Sequence, residues 1–355
     1  MIKEFVSGLG IVTAAFIVAV GLSACSSDDA TADNSSAVTK KGVGDAVNFT
    51  VVTAGGSTTR AFSTLDNYWT MNDLMAVREG STVYQYKAAS SSTSSGSRVS
   101  IVPNTDDAYA WSPEVTQRTF SAWYPYSSTP PSSVAGVTDQ RSDNLGRPEN
   151  RGTMTNTQYN NLDLLYAPDV AVSYKQPVDL VFYHQMCRIV VTVNSTGTKG
   201  SKPVTSVTFG KNNIAAGGTL TPGYTGAEGS TASWSITKNT SVQMRLVNAI
   251  AVDEPTTIRQ YTYECIVPPQ SLAASEVLFQ ITTTATTASD NTTTTTEYKP
   301  GDVYQDAPDF RAGYQYNFML TLSRAGLISI STVSVNDWAT ENVNGLTATV
   351  PDAGY

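Results

Sequence analysis

The residues that could do acid–base or nucleophilic chemistry are few in this 355-residue sequence. His184 is the single histidine, and its neighbours Phe182 and Met186 predict a packed side chain rather than a general base. Asp106 and Asp107 form an acidic pair of the kind that glycosidases use, but such pairs are also common on solvated loops. No nucleophile elbow, phosphate-binding loop or dinucleotide-binding glycine motif occurs in a strand-to-helix context. We therefore expect neither an enzyme nor a bound cofactor.

Two of the three cysteines, Cys187 and Cys265, lie inside apolar stretches. In an oxidising compartment they could form a disulfide, or they could remain buried free thiols that fill core space. Their spacing fixes no geometry, so both alternatives stay open. With one histidine and no Cys-x-x-Cys motif, the sequence offers no zinc site of the usual spacing, and we expect no metal.

The third cysteine, Cys25, follows an apolar run from Phe5 to Leu22 that Lys3 precedes. This run predicts a signal peptide over residues 1–24, and a transmembrane anchor is the alternative. Small residues before Cys25 resemble the lipobox of bacterial lipoproteins, in which the thiol is acylated, as with palmitate, before cleavage. The Ser-Ser-Asp-Asp cluster at 26–29 resembles a signal for the outer face of the outer membrane. Alternatively, this segment is only a solvated tether.

Arg60 is a candidate site of proteolysis. It precedes Ala61 in a segment rich in Gly, Ser and Thr, where an extended backbone could enter a trypsin-like protease. The alternative is an ordinary solvated arginine. The bond between Arg60 and Ala61 is therefore the predicted cleavage point.

Composition and charge exclude one broad class of partner and favour one fold class. The net charge of −8 and the absence of a basic stripe argue against nucleic-acid binding. Only 15% of the residues are charged, Ser and Thr are abundant, and long amphipathic helical patterns are almost absent. The chain is long enough for two cores. We expect an all-β protein with two domains, the first of which ends near Tyr174.

Strands are predicted wherever apolar and polar residues alternate. Val47, Phe49 and Val51 form the first such segment, which Gly55 and Gly56 end. The strongest signal covers residues 178–193, with a bulge or kink near Gln185 where the alternation shifts. Further predicted strands cover 204–209, 242–247, 261–267, 277–282, 314–322 and 327–335.

The threonine-rich run at 282–296 has two interpretations. Its β-branched residues could form the arms of an exposed hairpin on either side of Ser289-Asp290-Asn291. The alternative is a low-complexity loop.

The C-terminal tail has the composition of an added strand. Leu346, Ala348 and Val350 alternate with threonines, and Val343 precedes them. The tail could complete a sheet in another molecule, or it could be an edge strand of its own domain or a frayed terminus.

Several short segments, taken in order, resemble the fimbrillin family, the subunits of type V pili. They follow the lipobox and the Thr-Arg-Ala step at 59–61. No single segment is specific, but their order is. The segments are Trp69-Thr70-Met71-Asn72-Asp73-Leu74, Phe120-Ser121-Ala122-Trp123-Tyr124-Pro125, Asp163-Leu164-Leu165-Tyr166-Ala167, Phe182-Tyr183-His184-Gln185-Met186-Cys187-Arg188, Val267-Pro268-Pro269-Gln270, Gly313-Tyr314-Gln315-Tyr316 and Val335-Asn336-Asp337-Trp338. Cys187 departs from the pattern, because such sequences commonly carry a small residue there.

The resemblance implies two tandem transthyretin-like β-sandwich domains, at 61–175 and 176–355, after a lipoprotein signal peptide. It also implies that an Arg-specific protease cuts after Arg60 and removes the lipidated tether and first strand, residues 25–60. The displaced strand would be Val47, Phe49 and Val51, and the donor strand of a neighbouring subunit would supply Val343, Leu346, Ala348 and Val350.

The function implied by the resemblance is a structural subunit of a cell-surface fimbria that supports adhesion and biofilm formation. Its partners would be other pilus subunits, the protease, the outer membrane before cleavage and, on the extracellular fimbrium, a host or bacterial receptor. The alternative is a surface lipoprotein that binds glycans through exposed Trp111, Trp123 and Tyr124.

Overall fold

The fold is seen in a computed structural model that describes the chain in segments. These are residues 45–53, 69–93, 97–112, 114–142, 152–195, 203–225, 227, 230–251, 259–284, 292–300, 308–322 and 328–337. The chain divides into two units, residues 1–41 and 42–355, and every described residue lies in the second.

Strands dominate the described residues, as the alternating pattern predicts, so the all-β prediction is confirmed. One short helix, α1 (Asn156–Asn160), is described as well. It begins at a capping box in which the Thr155 side chain accepts a hydrogen bond from the Gln158 backbone N–H at 3.2 Å. The Gln158 side chain accepts one from the Thr155 backbone N–H at 2.8 Å.

Seven strands close into a barrel in the first half of the chain. They are β2 (Phe49–Thr53), β3 (Leu74–Glu79), β4 (Thr82–Ala88), β5 (Val99–Pro103), β7 (Gln117–Tyr124), β9 (Leu165–Ser173) and β10 (Val178–His184). Around the barrel their order is β10, β2, β5, β4, β3, β7 and β9, so the last strand returns to the first. Closure leaves this sheet without an exposed edge.

A second core lies between two sheets that both come from the later part of the chain. Phe279 of one sheet meets Phe318 of the other edge to face, with ring centroids 5.1 Å apart. The five-stranded sheet runs β16 (Arg245–Ala251), β17 (Arg259–Val267), β11 (Cys187–Ser195), β22 (Tyr314–Leu322) and β23 (Ile328–Asp337). The four-stranded sheet runs β15 (Thr240–Gln243), β12 (Val204–Ile214), β19 (Phe279–Thr284) and β20 (Thr293–Tyr298).

Short strands form three smaller sheets. One of them joins a strand from the first half of the chain to a hairpin of the second half. The three sheets are β1 (Asp45–Ala46) with β6 (Ala110–Trp111), β8 (Ser133–Val134) with β13 (Gly218–Thr221) and β14 (Ser233–Ile236), and β18 (Gln270–Ser271) with β21 (Asp309–Phe310).

The strongest strand signal of the sequence becomes two strands in two sheets. β10 ends at His184 in the barrel, and β11 begins at Cys187 in the five-stranded sheet. The interruption falls at Gln185, where the sequence predicts a kink. The predicted domain boundary at residues 175 and 176 lies between β9 and β10, which pair with each other in the barrel. The division into tandem transthyretin-like domains stays a prediction.

The threonine-rich run forms the arms of a hairpin. β19 pairs with β20 in antiparallel register from Phe279 opposite Tyr298 to Thr284 opposite Thr293. The threonine hydroxyls meet across the strands, at 3.1 Å between Thr282 and Thr295. The described arms therefore form the predicted hairpin rather than the alternative low-complexity loop.

Candidate functional site

The leading strand β2 occupies a place in the barrel that we call the first-strand slot, bounded by β5 and β10. It pairs parallel to β10, with Phe49 opposite Val178 and Val51 opposite Leu180. On its other side it pairs antiparallel to β5, with Phe49 opposite Ile101. β2 therefore supplies the connection between β5 and β10 that closes the barrel.

The inward face of β2 is buried. Phe49, Val51 and Thr53 are 1%, 0% and 3% exposed, and they alternate with half-buried residues as the period-two pattern predicts. The Phe49 ring meets Tyr86 and Phe120 edge to face, with centroids 5.1 and 5.2 Å away. Burying side chains of this size stabilises a fold by about 1.5–3 kcal/mol each. Phe49 and Val51 thus anchor the strand.

The segment before β2 is also paired. Asp45 and Ala46 of β1 lie opposite Trp111 and Ala110 of β6, and Val47 packs half-buried against the barrel core. Of the predicted displaced strand, Phe49 and Val51 therefore lie in the barrel, and Val47 packs against its core. Its displacement stays a prediction.

An ion pair crosses the outside of the slot. Arg98, just before β5, lies 3.3 Å from Asp179 of β10, and Asp179 also accepts a hydrogen bond from the Thr50 hydroxyl of β2. Both charged side chains are about half exposed or more, so this contact contributes at most about 1 kcal/mol. The ion pair therefore joins the neighbours of β2 on the outside of the slot but contributes little to the stability of the fold.

The opposite end of the described chain is β23, at the edge of the five-stranded sheet. It pairs antiparallel to β22 from Ile328 opposite Leu322 to Asp337 opposite Tyr314. The predicted donor residues, together with Cys25, Arg60 and Ala61, lie outside the described residues. The donor residues are Val343, Leu346, Ala348 and Val350.

His184 and the internal cysteines are core residues. The His184 Nδ1 lies 2.8 Å from the Asp163 Oδ2, and the His184 side chain is 2% exposed, so it packs as predicted. Cys187 and Cys265 are both free and buried, which decides between the two alternatives in favour of thiols. Burial raises the pKa of both thiols, so neither is a reactive thiolate at neutral pH.

The aromatic residues proposed as sugar platforms lie in the interior. Trp111 and Trp123 are 2% and 0% exposed, and Tyr124 is buried as well. The prediction that these three rings bind glycans is therefore wrong, because a ring that stacks on a sugar must face solvent. Asp106 and Asp107 are exposed on the loop after β5, as expected of a solvated acidic pair.

A buried charged cluster was not predicted from the sequence. Arg188 of β11 binds Glu264 of β17, with Nη2 to Oε2 at 2.5 Å, and the Glu264 Oε1 lies 3.9 Å from Arg245 of β16. Arg245 also donates to Asn156 at 2.9 Å and stacks on the Tyr159 ring at 4.5 Å. The cluster ties three strands to α1. Its signal in the sequence is an isolated charge within each apolar strand.

The described segments contain no group of three or more His, Cys, Asp or Glu side chains that could hold a metal ion. No helix in the same segments is long and apolar enough to cross a membrane.

Comparison with known proteins identifies relatives of this fold. A model of the family described as fimbrillin-like matches residues 59–338, and no curated protein matches the chain. A candidate cell adhesion protein of Bacteroides ovatus has a similar structure, with a TM-score of 0.53 at 15% identity, covering 84% of this chain and 100% of that chain. One of Bacteroides uniformis has a TM-score of 0.52 at 17% identity, covering 83% of this chain and 98% of that chain. At these identities the likeness concerns the fold.

Proposed function

The chain belongs to the fimbrillin-like family, and we propose that it is a structural subunit of a cell-surface fimbria that supports adhesion and biofilm formation. It acts as a building block rather than as an enzyme. It reaches the outer membrane as a lipoprotein acylated at Cys25, and a protease later frees it by cutting between Arg60 and Ala61.

The observation that carries this proposal is the place of β2 in the barrel. β2 alone lies between β5 and β10, so its removal would leave both neighbours with unpaired N–H and C=O groups. It would also uncover the apolar side chains that face Phe49 and Val51, among them Tyr86 and Phe120. Such a slot is costly in water, and a strand from another molecule can fill it.

Cleavage and release are separate steps in this mechanism. A cut after Arg60 leaves β2 hydrogen-bonded to β5 and β10, with Phe49 and Val51 still buried. Their burial opposes spontaneous loss of the strand by about 1.5–3 kcal/mol for each side chain. The incoming strand therefore replaces β2 by exchange rather than binding to an empty groove.

The tail after Trp338 is the proposed incoming strand. Its apolar residues Leu346, Ala348 and Val350 recur at every second position. This is also the spacing of the inward-facing residues Phe49, Val51 and Thr53 of β2. A strand of this pattern presents three side chains to the barrel interior while its backbone completes the ladder.

Because the slot and the tail are different surfaces, the contact between subunits is head-to-tail and propagates as a fibre. The partners of the protein are then copies of itself or related subunits, and a receptor would meet the assembled fibre. Stalk and tip-accessory positions both require a replaceable first strand.

Replacing Arg60 tests the cleavage step. We expect Arg60→Ala to accumulate as a folded, lipid-anchored precursor that does not enter fibres, as measured by the size of the protein and by electron microscopy of surface fibres. Arg60→Lys is the matched variant, because it keeps the positive charge while removing the arginine that the protease recognises. Normal processing and assembly of both variants would contradict the mechanism.

A further inference from the structure

A cavity of about 830 Å³ lies beside β14, β18 and the turn between β21 and β22, away from the first-strand slot. Its volume is in the range of small-molecule sites, which are about 300–1,000 Å³. Both aromatic rings and charged groups line it. The residues that matter are Tyr224, Trp234, Lys238, Asp309, Arg311 and Tyr314.

The Tyr224 ring is held against the backbone of the turn. At Gly313 the backbone has φ of +76°, and a Cβ atom there would lie 2.0 Å from the Tyr224 Cε1. Only glycine leaves room for the ring at this distance, and only glycine adopts this φ without strain. The Tyr224 ring, whose centroid lies 6.3 Å from that of Tyr314, is thus fixed in the cavity wall.

A fully buried glutamine positions the loop that carries Tyr224. The Gln185 Oε1 accepts hydrogen bonds from the backbone N–H groups of Gly223 and Tyr224, both at 3.1 Å, and its Nε2 donates to the Tyr224 carbonyl at 2.9 Å. The Trp234 Nε1 donates to the Gln185 carbonyl at 3.3 Å. Two rings of the cavity are therefore fixed by one residue before any ligand binds.

The described part of the lining carries more positive than negative charge, on a protein with a net charge of −8. Lys238 and Arg311 are its two cations, and Asp309 is its one carboxylate. The Arg311 guanidinium lies 4.3 Å from the Tyr314 ring centroid, which holds it in place, and Lys238 donates to the Ser271 carbonyl. Within the described segments no carboxylate forms an ion pair with Lys238 or Arg311.

We propose that this cavity binds a pyranose ring that carries a carboxylate, such as the terminal residue of an acidic glycan. The Trp234 ring takes a C–H face of the sugar, and Arg311, which is held against Tyr314, takes the carboxylate together with Lys238. Ser230, Thr231 and Ser271 also line the cavity and supply partners for sugar hydroxyls. A neutral sugar lacks the charged contact and binds more weakly.

The test is binding of monosaccharides to the full chain in its monomeric form, measured by saturation-transfer NMR and titration calorimetry. The probes are glucuronate and N-acetylneuraminate, with glucose as the neutral match of glucuronate. We expect a dissociation constant on the order of 1 mM for a carboxylated sugar and weaker binding of glucose. If only glucuronate binds, the ligand class is the uronic acids, and if only N-acetylneuraminate binds, it is the sialic acids. If both bind, the cavity recognises the pyranose ring and carboxylate that the two sugars share.

Charge-neutral variants test the residues. Arg311→Gln and Lys238→Gln should each weaken binding of the carboxylated sugar by roughly tenfold, because each removes one charge-assisted contact. Lys211→Gln is the matched control, since Lys211 is an exposed lysine that binds Glu297 on the four-stranded sheet and does not line the cavity. The Lys211→Gln variant should bind the carboxylated sugar with the same affinity as the wild type.

Three results would overturn the proposal. The first is that neither glucuronate nor N-acetylneuraminate binds, and the second is that glucose binds as tightly as glucuronate. The third is that Arg311→Gln and Lys238→Gln both bind the carboxylated sugar with wild-type affinity while unfolding at the wild-type temperature. The measurement uses monomers and needs no cleavage, so its outcome is independent of whether the protein forms fibres.

Discussion

Phe49 holds the leading strand in the barrel through contacts with two other rings. One of them, Tyr86 on β4, is 2% exposed, and its hydroxyl accepts a hydrogen bond from the Tyr109 backbone N–H at 3.2 Å. Burial raises the pKa of Tyr86 to about 12. At the scale of single residues, the barrel therefore contains a phenol that must stay neutral for the core to remain packed.

This phenol predicts a loss of stability at alkaline pH. Because the folded pKa lies above the unfolded value, the contribution of Tyr86 is complete below pH 10 and is lost as the pH rises from about 10 to about 12. The expected loss is up to about 3 kcal/mol in the free energy of unfolding. Tyr86→Phe lacks the phenol, so the unfolding free energy of the wild type minus that of the variant should fall by this amount over the same range.

Urea unfolding at pH 8, 9, 10, 11 and 12 measures this difference. The other tyrosines titrate in both proteins and cancel. A difference that stays constant from pH 8 to pH 12 would show that Tyr86 ionises as readily in the folded protein as in the unfolded chain.

At the scale of secondary-structure elements, the junction between β10 and β11 links the barrel to the second core. Gln185 bonds to the loop at 223–224, and the Met186 carbonyl accepts from the Gly313 N–H at 2.8 Å. The backbone of Gln185 in turn donates to the Leu164 carbonyl at 2.8 Å. Gln185 and Met186, which lie between the two strands, thus form hydrogen bonds to three other segments of the chain, at residues 164, 223–224 and 313.

Gln185→Ala should destabilise the protein because it leaves the buried N–H group of Tyr224 and the half-buried N–H group of Gly223 without their acceptor. A buried unsatisfied group costs about 1–3 kcal/mol and a half-buried one less, so we expect a loss of about 1–4 kcal/mol in urea unfolding. Gln280→Ala is the matched control. Its amide bonds to Glu297 at the surface, so its loss should cost less than about 0.5 kcal/mol. Equal effects of the two substitutions would contradict the role of Gln185.

At the scale of the whole molecule, the proposed mechanism requires a replaceable strand and a donor tail in each subunit, so that each subunit is both acceptor and donor. Assembly then depends on both surfaces being present in one chain. A subunit with only one of them stops growth rather than slowing it.

A protein that ends at Trp338 should therefore act as a chain terminator. It keeps the first-strand slot and can accept a tail, but it lacks Leu346, Ala348 and Val350 and cannot donate one. Mixed with intact processed subunits, it should shorten fibres in inverse proportion to its fraction, as measured by electron microscopy. The control is the same amount of additional intact processed subunit, which carries both surfaces and should leave the fibres no shorter. Fibres of unchanged length in the mixture would rule out the tail as donor.

Local patterns in the sequence determined the strands and their faces. Phe49 and Val51 point inward, residues 314–322 form β22, and the long signal breaks at Gln185, because period-two alternation is a local property of the chain. The threonine-rich run left two structures open, and pairing with the neighbouring arm decided between them. The family resemblance also rested on local segments, and the match over residues 59–338 confirms it.

Only the tertiary structure decided which strands meet and which aromatic rings face water. Thr50 and Asp179 are 129 residues apart in sequence, yet they touch because β2 inserts parallel to β10. Aromatic side chains suit both cores and binding surfaces, so their composition alone could not place Trp111 and Trp123 in the interior. For the same reason, the cavity around Tyr224 and Arg311 became visible only once distant loops were brought together by Gln185 and Gly313.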